Sequence, residues 1–166
     1  MLILVRTLTG IVLLRLGPDA LPRSLFLAVL LFAAMLLASF TGLALSGGWQ
    51  PWSPVFFALS LGLSLGTYTV ALRLRGHEAR IPQTFAALFG ASALISLAEL
   101  PLLATGALDA EGQGGVMVLL ALIAWSLLVD GHIMARALEV PLIGGTLLAL
   151  AVFSGQLVLY QQFPAA

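Results

Sequence analysis

Residues 24–45, SLFLAVLLFAAMLLASFTGLAL, form an uninterrupted apolar run of the length a helix needs to cross a bilayer. About 30 Å of hydrocarbon, at 1.5 Å of rise per residue, asks for about 20 residues. Pro22 and Ser24 open the run. The break SGGWQPWSP at 46–54 closes it as a turn, and its tryptophans Trp49 and Trp52 suit the headgroup layer.

Working outward, four more runs of this kind follow. The second covers 55–74 and ends in Arg73 and Arg75, after which RGHEAR at 75–80 is a polar loop. Pro82 stands at a first helical turn, its favoured place, and starts a third run to about 106. DAEGQGG at 109–115 is a short acidic, glycine-rich loop. The fourth run, 116–129, is short before Asp130-Gly131-His132 and is expected to continue as helix through Arg136. Pro141 starts the last run, 142–160, with Tyr160 as a closing interfacial aromatic. Every break is short, so the helices must pack up and down as neighbours. Backbone groups in lipid have no water to bond, which leaves helices as the element, and no period-2 alternation argues for a barrel. The expected fold is all-α: a polytopic membrane bundle of five spans, with residues 17–166 as one domain.

Ahead of it, MLILVRTLTGIVLLRL at 1–16 superficially resembles a secretory signal, but Arg6 and Arg15 bracket only eight residues. No small-residue cleavage pattern follows before Gly17-Pro18-Asp19, so the segment is expected to be retained. Its two arginines fall on opposite sides of a helix and would have to snorkel. An interfacial helix is preferred to a sixth span.

Composition agrees. Hydrophobic residues make up 61% and charged residues 8%, against roughly 25% charged in a soluble domain. So few polar groups could not cover a soluble globule, and lipid must be the solvent for much of the surface. The net charge of +0, with no dense basic cluster, points away from nucleic acid. The absence of cysteine excludes disulfides, thiolate catalysis and sulfur-ligated metal. All seven basic residues are arginine, a bias of composition rather than of chemistry. With the ends numbered alternately, Arg6, Arg15, Arg23, Arg73, Arg75, Arg80 and Arg136 all fall on one side, and Asp109 with Glu111 on the other. By the positive-inside rule that side is cytoplasmic, which places the N-terminus in the cytoplasm and the C-terminus in the periplasm of a bacterial inner membrane.

Few residues could carry chemistry. Glu99, in ISLAELPLLATG, is the only acid inside a hydrophobic run and is a candidate for binding a cation or relaying a proton. The plain alternative is an interfacial or interhelical hydrogen bond, since Glu99 lies about 26 Å beyond Pro82 and so near the periplasmic interface. Pro101 frees a carbonyl one turn back and can open that site to water. Asp130, His132 and Arg136 are expected to form a cytoplasmic elbow, with His132 and Arg136 on one face. His77 and Glu78 read as solvated loop residues. One His and one Asp are too few for a metal, so neither metal nor cofactor is expected. No G-x-S-x-G, H-E-x-x-H or phosphate loop is present, which argues against an enzyme. Ala58, Gly62 and Gly66 repeat every four residues, Ala86 with Gly90 and Gly145 with Ala149 offer similar faces, and small residues at this spacing let helices approach closely. Packing within the chain is preferred to dimerisation.

From residue 76 to about 150 the chain resembles the Yip-type membrane proteins of the Yip1-domain superfamily. A polar, glycine-containing loop leads into QTFAALFGASALISLAELPLL, and WSLLVDGHIMARALEVPLIGGTLLAL resembles that family's fourth span, elbow and fifth span. The resemblance implies five spans, a cytoplasmic N-terminus and a trafficking, curvature or scaffolding role, with no catalytic residues. The function expected from the sequence is a non-enzymatic scaffold or accessory subunit, with the lipid bilayer and another membrane protein or a second copy as partners. The alternative is a small-solute, ion or proton transporter using Glu99, and it requires several polar residues to line one cavity.

Overall fold

The structure, a computed structural model, describes residues 2–106 and 113–163. Asp109 and Glu111 therefore lie outside the described residues. The elements are α1 Leu2–Val12, α2 Leu25–Leu45, α3 Ser53–Leu74, α4 Ile81–Ala104, α5 Gln113–Leu138 and α6 Leu142–Tyr160, with short 3-10 turns at Pro18–Ala20 and Glu78–Arg80. No strand occurs among the described residues. Helices α2 to α6 are long and apolar enough to cross a membrane. Their outer faces carry large apolar side chains in the open, Phe26 at 78% and Leu74 at 83% exposure among them, as a lipid-solvated surface should.

The helix ends follow local chemistry. The Ser24 hydroxyl accepts from the Leu27 N–H at 3.2 Å and caps α2. Pro54 and Pro82 occupy the first turns of α3 and α4, where a missing N–H costs nothing. Arg75 and Arg80 reach the C-terminal end of α5, donating to the Leu138 and Ala137 carbonyls at 3.4 Å each. Those carbonyls have no partner within the helix, so two cations there satisfy both the bonds and the helix dipole. Glu139 follows with φ 55, pairs with Arg80 Nη2 at 2.5 Å, and lies 3.9 Å from His77 Nε2. The Arg80 hydrogen bond and charge hold its carboxyl below the usual carboxylate range. His77 is thus partly buried against Glu139 rather than free in solvent.

Two corrections to the sequence reading concern packing. Helix α5 runs on through Arg136, as expected, to Leu138, so the elbow between the last two spans lies at Glu139–Pro141 and not at Asp130, His132 and Arg136. The small-residue face of α3 does not pack within the chain: Ala58, Gly62 and Gly66 are exposed, and a methyl added at either glycine would meet nothing within 4 Å. Elsewhere small residues do permit close crossings. Ala86 is fully buried, and Gly90 admits the Leu8 and Leu31 side chains. A methyl on Gly145 would collide with the Gly131 carbonyl oxygen, and one on Gly131 would lie 2.6 Å from Thr146 Cα. Helices α5 and α6 therefore meet backbone to backbone.

The tightest packing sits at one end of the bundle. Leu8 and Ile11 of α1 pack with Leu31, Leu72, Ala87, Ala91, Val129, Ile133 and Leu138, where α2, α4 and α6 begin and α3 and α5 finish. The N-terminal arm is tied there as well, since His132 Nε2 bonds the Leu16 carbonyl at 3.0 Å and Gln83 Nε2 donates to the Leu21 carbonyl. Towards the other end the bundle loosens: α2 lies close on α4 and α5 on α6, while α3 stands off from α4 and α5. An aromatic cluster closes that end. Trp52 packs against Phe56, Tyr160 and Phe163 with ring centroids 5.1–6.1 Å apart, and Trp49 lies 6.0 Å from Phe40.

Candidate functional site, an acidic cavity inside the bundle

The gap between α3 and its neighbours carries polar side chains among apolar ones such as Met35, Phe57 and Leu65. Two adjoining cavities of about 200 and 250 Å³ share Ser64, Tyr68, Ser92, Asp130 and Gln156. Ser60 extends the first, and Ser96, Glu99 and Ser126 line the second. Four helices supply these groups at helical spacing. Ser60, Ser64 and Tyr68 follow one another by four residues on α3, Ser126 and Asp130 do so on α5, and Ser92, Ser96 and Glu99 share a face of α4.

At 1.5 Å per residue, Asp130 lies about 12 Å from the arginine-bearing end of α5, and Glu99 about 27 Å from that end of α4. The lining therefore covers the middle of the hydrophobic thickness. Both acids serve one site, although they stand on different helices and at different depths.

The bonding pattern commits the hydroxyl protons of Ser64 and Ser126 to backbone carbonyls and keeps their oxygens as acceptors. Ser64 Oγ donates to the Ser60 carbonyl at 3.0 Å and accepts from Gln156 Nε2 at 2.9 Å. Ser126 Oγ donates to the Ile123 carbonyl at 2.9 Å. The Ser60 hydroxyl is buried with no hydrogen-bond partner among the described residues. The ion pairs among the described residues lie at Glu139, and neither Asp130 nor Glu99 belongs to one. No arginine or histidine lines either cavity. A carboxylate within the apolar thickness and without a cationic partner is costly, so such a site favours a proton or a cation.

The site is closed on one side and open on the other. Below Asp130, Leu72, Val129, Ile133 and Met134 are fully buried and form an apolar plug. In the other direction a cleft lined by Phe56, Ser60, Phe153, Gln156 and Tyr160 continues to the aromatic end. A further cavity of about 490 Å³, walled by Phe40, Trp52, Phe56 and Phe57, adjoins it.

Of the residues singled out in the sequence, Glu99 and Asp130 meet at this site, while His132 and Arg136 face the N-terminal arm instead. Helix α4 continues through Pro101, and Thr105 Oγ1 bonds the Pro101 carbonyl at 2.9 Å. Ser92, Ser96, Ser126, Tyr68 and Gln156 were not singled out, although their spacing with the acids was a signal of a shared polar face. Among the described residues no three metal-ligating side chains gather. No family model, no curated protein and no solved structure matches this chain.

Proposed function

We propose that this protein is a small, non-enzymatic membrane carrier or conduit for protons or small cations, with Asp130 and Glu99 as its ion-binding groups. One observation carries this: two unpaired carboxylates and five serine hydroxyls, from three helices, line two adjoining cavities in an apolar bundle with no basic side chain in either. Several polar residues on one cavity is what a transport pathway requires. Asp130 sits at the inner end against the apolar plug, and Glu99 lies further towards the open side. We orient the arginine end to the cytoplasm of a bacterial inner membrane, on the positive-inside bias. That Arg23, Arg75, Arg80 and Arg136 gather at one end supports it. The Yip-type resemblance adds to this topology and contributes no residue roles.

The test is flux in proteoliposomes carrying an internal pH dye under imposed proton, sodium or potassium gradients. Dissipation of one gradient is expected, slowed at least tenfold by Asp130→Asn and less by Glu99→Gln. Vesicles as tight as protein-free controls under all three gradients would end this reading. The scaffold or accessory-subunit reading then takes its place, supported by the exposed Gly62–Gly66 face of α3. Native mass spectrometry after mild extraction tests that one, through a stoichiometric membrane partner or second copy.

A further inference from the structure

A second site lies at the arginine end, outside the transport cavity. There a cleft of about 620 Å³ is lined by Asp19, Arg23, Arg80, Gln83, Arg136 and Glu139, with Ala135 and Val140. We propose that this cleft binds a phosphate anion, supplied as the headgroup of an anionic phospholipid.

The charges in the cleft are unequal in availability. Arg80 is committed to Glu139 and to the Ala137 carbonyl. Arg23 and Arg136 have no carboxylate within 4 Å among the described residues. Asp19 is the remaining acid on the wall, so two free guanidinium groups face one carboxylate. Guanidinium groups bind phosphate oxygens through paired, charge-assisted hydrogen bonds.

The cleft is also built rather than incidental. One wall is the N-terminal turn, held by the buried Pro18 and Leu21, by Gln83 bonding the Leu21 carbonyl and by His132 bonding the Leu16 carbonyl. Gly17 lets this turn lie directly on the Arg136 stem: a methyl there would come within 3.2 Å of Arg136 Cγ and closer still to Asp19 Oδ1. The turn and the end of α5 thus hold Arg23 and Arg136 on opposite sides of one opening.

Its depth selects the source of the phosphate. The cleft lies where the spans begin and finish, and the residues that follow each wall in sequence are exposed and apolar: Leu25 at 70% and Phe26 at 78% on α2, Ile143 at 73% on α6. A phosphate held by Arg23 and Arg136 would place attached acyl chains along these surfaces. Basic clefts between helices at the membrane surface bind anionic headgroups in this way.

The test uses the full chain, delipidated in mild detergent, with dioleoyl-phosphatidylglycerol and dioleoyl-phosphatidylcholine as competing probes in native mass spectrometry. About tenfold preference for the anionic lipid is expected, reduced to near parity in Arg23→Gln/Arg136→Gln. Asp19→Asn removes the opposing charge and should strengthen retention. This sign cannot come from misfolding, so it decides the matter should the double variant fail to fold. Inorganic phosphate, added alone, distinguishes the sources. A shift in melting temperature that depends on Arg23 and Arg136, without lipid preference, assigns the site to a soluble phosphate. Equal retention of both lipids with no effect of phosphate, or no gain in Asp19→Asn, overturns the proposal.

Discussion

Replacing Asp130 with leucine should abolish flux and at the same time raise the stability of the protein. Asp130 has no ion-pair partner and sits within the apolar thickness, where the adjoining cavities of about 200 and 250 Å³ leave room for a leucine side chain. On insertion scales an aspartate near the middle of a spanning helix costs about 2.5–3.5 kcal/mol, and a leucine gains about 0.3–0.6 kcal/mol. The full difference applies to a side chain facing lipid. Asp130 faces a polar cavity with room for water, so about 1–3 kcal/mol of stabilisation is the fitting magnitude. For a chain of this size that corresponds to a rise in Tm of roughly 2–12 °C. The assays are thermal unfolding in detergent and flux in proteoliposomes, on one preparation. A fall in Tm would refute the reasoning, because it would make Asp130 a structural bonding partner and strip any loss of flux of its meaning. Intact flux with a raised Tm would remove Asp130 from the pathway. Only the combination of gain and loss marks a group retained for function at a cost in stability.

Three further outcomes test the packing and the polar ties. Gly145→Ala should destabilise by about 1–3 kcal/mol, because its methyl would strike the Gly131 carbonyl and drive α5 from α6. Gly62→Ala, in open space on α3, should be neutral or stabilising by up to about 1 kcal/mol in the same unfolding assay. His132→Ala leaves the Leu16 carbonyl without its bond and should cost about 1–3 kcal/mol, with faster proteolysis of the N-terminal arm as the second readout. Glu139 has its folded pKa depressed by Arg80, so its contribution is present above the unfolded carboxylate range and is lost as pH falls through the lower folded value. The Tm difference between the native chain and Glu139→Gln should accordingly be present at neutral pH and vanish in acid.

Much of the fold was legible because spanning length is a local property. The five expected runs, 24–45, 55–74, 82–106, 116–136 and 142–160, differ from the observed helices by at most a few residues at each end. Hydrocarbon thickness, prolines at helix starts and glycine-rich breaks act over one segment at a time. The N-terminal helix was also legible, but its role was not. Leu8 and Ile11 are core residues shared with the spanning helices, a fact that depends on which surface the arm meets.

The site was only half legible. Glu99 stood out as an acid in an apolar run, but Asp130, although expected to be helical, was grouped with His132 and Arg136 at the cytoplasmic end and not with Glu99. Gly145 and Gly62 carry the same kind of spacing, yet one sits in a backbone-to-backbone crossing and the other faces outward.

The physical reason is the solvent. In water, the apolar side of a helix declares which face is buried, whereas in lipid both sides are apolar and the asymmetry nearly disappears. The sequence alone therefore determined how many helices cross, where each begins and ends, and at which end the arginines gather. Which faces meet, and that Asp130, Glu99 and the serines of three helices share one cavity, was decided by tertiary packing alone.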